Sequence, residues 1–262
     1  MSGSGNDFIV FVSSDGPFGE LETVSQISAM CARGTGIGAD GAVFIEPAGK
    51  NVVAMRYYNA DGSRATLCGN ASLCSTRLSL ELGLASEDFT LRTDAGDLPA
   101  RIREGLPEID LEPIQEIDSD APKLTKQAGE DRIGFALVGV PHVVILVPDL
   151  ETIALQQRGS ELRRDPSLRD GANVNFVTKT PSGWAYRTYE RGVEGETLAC
   201  GSGAVATAVL LGRWGQSGET TVLQTRSGRS LTVRLTKYQD RVIPTLRGEG
   251  RLVFEGEIGE LA

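Results

Sequence analysis

The sequence predicts an α+β chain of two similar, strand-rich lobes, and three observations lead there. Motifs recur in the same order about half a chain apart along the 262 residues. Most apolar segments are short or alternate with the two-residue period of strands. Each of two Cys-Gly steps, at Cys68 and Cys200, opens a stretch with helical patterning.

The recurrence is the strongest of the three. Gly5-Asn6-Asp7-Phe8-Ile9-Val10-Phe11 parallels Gly139-Val140-Pro141-His142-Val143-Val144-Ile145 at a shift of 134. Gly36-Ile37-Gly38-Ala39-Asp40 parallels Gly171-Ala172-Asn173-Val174-Asn175 at 135. Arg56-Tyr57-Tyr58-Asn59 parallels Arg187-Thr188-Tyr189-Glu190 at 131, and Cys68-Gly69-Asn70-Ala71 parallels Cys200-Gly201-Ser202-Gly203 at 132. Glycine-rich segments align by chance one at a time, but not four times in order at a nearly fixed shift. The polar, proline-containing segment from Pro113 to Arg132 is the natural boundary. It gives an N-terminal lobe over 1–114, completed by about 249–262, and a C-terminal lobe over 115–248.

Strands are expected at Phe8 to Val12, Gly41 to Ile45, Val52 to Tyr58, Val143 to Val147 and Asn175 to Thr178. A hairpin is expected over Thr221 to Leu235, turning at Ser227-Gly228. Helices are expected over Ala71 to Leu84, which ends at a glycine, and over Ala204 to Trp214. The second of these is apolar nearly all round, the pattern of a buried central helix. Each cysteine therefore stands at a helix start.

Composition narrows the function. A formal net charge of −9 without any Lys/Arg-rich run argues against nucleic-acid or anionic-membrane partners. No run approaches the roughly 20 apolar residues of a membrane span, and the N-terminus lacks a secretory pattern. Four cysteines in a chain of this length are no disulfide scaffold, which points to a reducing, cytoplasmic setting. One histidine and no C-x-x-C pair leave too few soft ligands for a metal site.

The first turn of a helix carries N–H groups without helical acceptors and a partial positive charge. A cysteine there has a lowered pKa and a thiolate competent as a base near neutral pH. Gly69-Asn70 and Gly201-Ser202 add backbone donors with little bulk, suited to holding a carboxylate. Inverting a carbon centre needs a base on one face and an acid on the other, while fixed donors stabilise the charge growing on the carboxylate. Two cysteines from matched halves meet that requirement, and nothing in the sequence suggests a pyridoxal site. Cys31 and Cys74 lack this context and read as small buried hydrophobes. A disulfide between Cys68 and Cys200 is the redox alternative, weakened by the missing C-x-x-C spacing of thiol oxidoreductases. Asp40 and Asp61 read as turn formers, and Arg33, Arg56 and Arg187 as solvated or ion-paired.

The motifs Gly3-Ser4-Gly5-Asn6-Asp7-Phe8, Gly36-Ile37-Gly38-Ala39-Asp40-Gly41, Asn59-Ala60-Asp61-Gly62, Cys68-Gly69-Asn70, Pro141-His142, Asn173-Val174-Asn175-Phe176 and Glu190-Arg191-Gly192 run to Gly195-Glu196-Thr197-Leu198-Ala199-Cys200-Gly201-Ser202-Gly203. Together they resemble the diaminopimelate epimerase family, over nearly the whole chain. The resemblance implies two pseudosymmetric lobes, each a mixed, largely antiparallel sheet wrapped around a central helix. It implies cofactor-free epimerisation of LL-diaminopimelate to the meso form in a homodimer, with Cys68 and Cys200 as base and acid. The N–H groups of Gly69, Asn70, Gly201 and Ser202 would hold the reacting carboxylate. Asn6, Asn59, Asn173, Glu190 and Arg191 would bind the substrate, and His142 and Glu190 would tune the thiols by charge.

Departures from the family pattern are expected to bear on the substrate. Val140 stands where asparagine is usual before Pro-His, and Ala71-Ser72-Leu73-Cys74 replaces a segment that often carries glycine and arginine. The loop Arg191 to Glu196 is one residue longer than the commonest form. The chain also starts about five residues late, so the first strand is expected to be shortened or its start misassigned. Another amino-acid racemase on the same scaffold is the nearest rival. A non-catalytic binding module is the rival from a different class.

Overall fold

The computed structural model describes residues 1–14, 16–121 and 123–259, and these divide into two compact units. The first comprises Met1–Asp110 and the segment from Arg247 onward, the second Leu111–Leu246.

In the first unit β1 (Ser2–Gly3) and β2 (Asn6–Val12) are followed by α1 (Val24–Cys31), β3 (Gly41–Gly49), β4 (Val52–Asn59) and β5 (Arg64–Ala65). Then come α2 (Gly69–Glu81), β6 (Asp88–Thr93), β7 (Gly96–Arg103) and β8 (Leu106–Asp110). β2 pairs parallel with β3, β3 antiparallel with β4, and β6 parallel with β4, so α1 and α2 each occupy a crossover. Gly41 to Ile45 is a continuous buried run because helices cover both faces of the sheet here. On one side Ile27, Met30 and Cys31 of α1 meet Ala42, Phe44 and Tyr58. On the other lies α2, whose Ala71 to Thr76 are all buried among strands. The N–H groups of Ser2 and Arg251 donate to each other's carbonyls at 2.8 and 2.9 Å, which ties the segment after Arg247 into this unit.

The second unit follows the same path. β9 (Glu116–Asp118) and β10 (Arg132–Val138) lead into β11 (Val140–Leu146), α3 (Leu155–Arg163), β12 (Asn173–Thr180), β13 (Gly183–Glu190) and β14 (Gly195–Thr197). Then come α4 (Gly201–Arg213), β15 (Thr220–Gln224), β16 (Ser230–Tyr238) and β17 (Arg241–Arg247). Again β11 pairs parallel with β12, β12 antiparallel with β13, and β15 parallel with β13. Leu155 and Leu162 of α3 join Val143, Ile145, Val174, Phe176 and Tyr189 in one apolar cluster, and the buried α4 forms the opposite layer.

The hairpin at Ser227-Gly228 is present as β15–β16, with Gly228 at φ 79°. β2 spans seven residues from Asn6. The segment from Pro113 to Arg132 lies inside the second unit: β9 pairs with β10, and Leu124 is buried in the apolar cluster. One repeat alignment shifts. Phe8 pairs with Gly41 as His142 pairs with Asn173, so Gly41 and not Gly38 is the counterpart of Asn173. Turn glycines matched by composition, whereas the ladders register on side chains facing the core.

Candidate active site

Cys68 and Cys200 are the N-cap residues of α2 and α4, with φ, ψ of −135°, 116° and −140°, 110°. In both, extended backbone turns at once into helix, leaving the first-turn N–H groups of Gly69-Asn70 and Gly201-Ser202 without acceptors inside the helix. The cysteine carbonyls close the first helical bonds, accepting from Ser72 N and Ala204 N at 2.9 Å. Cys68 is half-buried and Cys200 buried. None of the four cysteines is in a disulfide. Burial pushes the Cys31 thiol up to about 11 and the Cys74 thiol up to about 12, so neither ionises near neutral pH.

Around Cys68 the polar side chains form a chain ending in carboxylates. Asn70 Nδ2 donates to Asn6 Oδ1 at 2.6 Å, and Asn6 Nδ2 donates to Asp40 Oδ2 at 2.9 Å. Arg33 donates to Asp7 at 2.7 and 2.9 Å and to Asp40 at 2.8 Å. Asp40 is therefore an ionic anchor and not the turn former expected from its glycine neighbours, whereas Asp61 does shape a turn by accepting from Ser63 N. Asn59, exposed at the end of β4, donates to Ser63 Oγ at 3.0 Å instead of joining Asn6 and Asn70. The buried Asn70 Oδ1 has no partner among the described residues.

Around Cys200 the arrangement is denser. Tyr186 Oη donates to the Cys200 carbonyl at 2.8 Å and accepts from Cys200 N at 3.2 Å, clamping the N-cap backbone. Ser202 Oγ lies 3.6 Å from Cys200 Sγ and 3.0 Å from His142 Nε2. His142 is fully buried, and desolvation, with Arg191 nearby, drives its pKa down to about 3. The imidazole is therefore held neutral near neutral pH, and its Nε2 lies against Ser202 Oγ. Asn173 Oδ1 accepts from Arg191 N at 2.8 Å, Arg191 Nη1 donates to the Asp170 carbonyl at 3.1 Å, and Glu190 accepts from Thr197 Oγ1 at 2.8 Å. The loop after β13 is thus fastened to the start of β12.

Sequence reasoning missed Tyr186, Asn175 and Thr188. Asn175 is fully buried inside an apolar strand, a signal that was readable as a demand for polar partners. Arg56 and Arg187 pair with Glu22, Glu46 and Glu196, and Arg33 as above, in line with their reading as ion-paired. Among the described residues no cluster of histidine, cysteine or acidic side chains could hold a metal, and no helix is long and apolar enough to cross a membrane.

Two solved structures share this architecture. A phenazine biosynthesis protein of the PhzF family from Bacillus anthracis has a TM-score of 0.69 across 91% of this chain and 89% of that one, at 15% identity. A hydroxyproline epimerase from Agrobacterium vitis, bound to trans-4-hydroxy-L-proline, has a TM-score of 0.62 across 91% and 85%, at 21% identity. The class is therefore the fold these proteins share: matched halves, each a mixed sheet wrapped around a helix, here with a cysteine at each helix start. Within that class, the diaminopimelate epimerase profile matches residues 1–110 and 134–249. A curated diaminopimelate epimerase from Gemmatimonas aurantiaca is 49% identical across 100% of this chain and 98% of its own length. Another from Archaeoglobus fulgidus is 36% identical across 98% and 94%. The chain belongs to the diaminopimelate epimerase family.

Proposed function

We propose that this chain converts LL-diaminopimelate to the meso form with Cys68 and Cys200 as its two bases. The observation that carries the reading is the same cysteine N-cap, on nearly the same backbone, in each unit of a family member. One sulfur, as thiolate, takes the α-proton. The electron pair of that C–H bond passes into the carboxylate as an enediolate, stabilised by the N–H groups of Gly69, Asn70, Gly201 and Ser202 and by the positive ends of α2 and α4. The other sulfur, as thiol, gives its proton to the opposite face of the carbon. The two then exchange roles for the reverse direction.

The remaining residues suit a substrate with a second amino-acid end. Arg191 offers a guanidinium to a distal carboxylate and Glu190 a carboxylate to a distal ammonium, while Asn173 fixes the loop that carries both. Asn6, Asn59 and the unpartnered Asn70 Oδ1 add neutral donors and acceptors. His142, being neutral, tunes through Ser202, and Glu190 through its charge. The two units act as lobes, N-terminal and C-terminal. A homodimer and a reducing cytoplasm, which would keep the four thiols reduced, complete the reading.

Incubation with LL-diaminopimelate in deuterated water tests it. Deuterium should enter the α-position as the meso isomer forms, and Cys68→Ala or Cys200→Ala should cut epimerisation at least about 10³-fold with the fold intact. α-Exchange confined to some other amino acid would end the assignment and favour a different specificity, for which Val140 is the sequence feature. Retained turnover in either cysteine variant would end the two-base mechanism.

A further inference from the structure

We infer that Glu194 is a positioning residue for the distal end of the substrate, fastening to α3 the loop that carries Glu190 and Arg191. The inference rests on the reading above that those two residues meet the second amino-acid end, and it adds the side chain that holds them in place.

The loop is a hairpin connection. Glu190 and Gly195 pair across β13 and β14, which leaves Arg191, Gly192, Val193 and Glu194 to make the turn. Glu194 N donates to the Glu190 carbonyl at 2.8 Å, and Glu194 closes the turn at φ 56°, a left-handed conformation that favours glycine. The first unit turns the corresponding corner, between β4 and β5, with Ala60, Asp61 and Gly62, and Asn59 N donates to the Ser63 carbonyl across it. There a glycine does hold the last position, at φ 82°. A Cβ on Gly62 would come 2.5 Å from the Val24 carbonyl oxygen, so backbone packs directly against the start of α1. In the second unit the same corner reaches its helix with a side chain.

What Glu194 receives is what keeps a glutamate in this conformation. Its carboxylate accepts from Arg163 Nε at 3.0 Å, Gly192 N at 3.2 Å and Tyr189 Oη at 3.3 Å, and Arg164 Nη2 lies 3.5 Å away. Its carbonyl accepts from Gln156 Nε2 at 3.2 Å. Gln156 and Arg163 stand seven residues apart, two turns along one face of α3, so the glutamate is gripped from the first turn and the last. Arg163 also packs against Gly171, where a Cβ would collide with its guanidinium. Gly171 leads to Asn173, whose Oδ1 accepts from Arg191 N, and the Asp170 carbonyl accepts from Arg191 Nη1. Both ends of the loop are therefore fixed, Arg191 to the segment that opens β12 and Glu194 to α3. Arg163 is 22% exposed and Arg164 64%, so solvent screens the second partner and the first carries the anchor.

Glycine at position 194 separates an anchor from a turn filler. Glu194→Gly removes the carboxylate yet suits the backbone, so the variant should fold. In the full-length protein without substrate, amide hydrogen exchange in peptides covering 189–197 should speed up at least about fivefold in Glu194→Gly and in Arg163→Ala. The double variant should go no further than either single one, because both changes break the same contact. With LL-diaminopimelate as substrate, each single variant should raise KM about tenfold and leave kcat within about twofold, the pattern of lost substrate binding with the chemistry intact. Unmoved exchange or an unmoved KM in Glu194→Gly would overturn the inference and leave Glu194 as a filler of the turn. Absence of turnover in the unaltered protein would end the epimerase reading instead, while the exchange comparison, read without substrate, still decides the anchor.

Discussion

Cys68 and Cys200 enter their helices on backbones that differ by only 5° in φ and 6° in ψ, yet different side chains surround them. Around Cys68 the Asn70 and Asn6 amides lead outward to Asp40, which also accepts from Arg33, in a half-exposed setting. Around Cys200 a buried histidine meets Ser202 Oγ, and a tyrosine grips the N-cap. Duplicated backbone thus supplies two matched helix ends while side chains on neighbouring strands give each sulfur different surroundings. The difference also explains why the halves diverge where they do. Gly203 and Ala71 are counterparts, and Gly203 must lack a Cβ because one would sit 2.3 Å from Asn175 Oδ1 and 3.2 Å from Cys200 Sγ. Ala71 is fully buried without that constraint, since Val43 replaces Asn175 in its half.

The sharpest way to break the asymmetry is Gly203→Ala. It should push Asn175 out of line, cut kcat about 10²-fold and cost about 1–3 kcal/mol of stability, measured by steady-state kinetics and urea melts. Ala71→Gly should cost no more than about 1 kcal/mol in the same melts. Next, Tyr186→Phe removes the partner of both Cys200 backbone groups and should destabilise by about 1–3 kcal/mol. Its ladder counterpart is Met55, where Met55→Leu should cost less than about 1.5 kcal/mol.

The third prediction concerns acid stability. His142 has a folded pKa near 3, below its unfolded value of 6.5, so the unfolded chain binds the extra proton between those limits. Stability should therefore fall as pH drops through that window, by up to about 1.4 kcal/mol per unit, and be unaffected by this group above it. Chemical denaturation of His142→Gln across the window should show a shallower slope. Smallest of all is Asp40→Asn. With Arg33 61% and Asp40 39% exposed, solvent screens the pair, and thermal melts should move by less than the equivalent of about 1 kcal/mol.

How much of this could be read in advance differs by level. The two helix starts were legible because Cys-Gly followed by an apolar or small-residue stretch is a local pattern, and the recurrence of one motif order showed that the halves match. α3 was missed because Gly159 interrupts it, a residue unfavourable in a helix interior. Tertiary packing requires it there, since a Cβ would come 2.5 Å from Tyr189 Cβ. α1, eight residues long, offers too few turns for periodicity to register. Asn175 could be read as a buried amide in need of partners, but which partners it and Tyr186 find depends on neighbours across a ladder, which no spacing within one strand encodes.

The Ser2–Arg251 exchange has a consequence for biosynthesis. The second unit is one unbroken stretch, Leu111–Leu246, and can close as soon as it leaves the ribosome. The first waits with β1 unpaired on that edge until Arg251 has been translated, so the half made first is the half finished last.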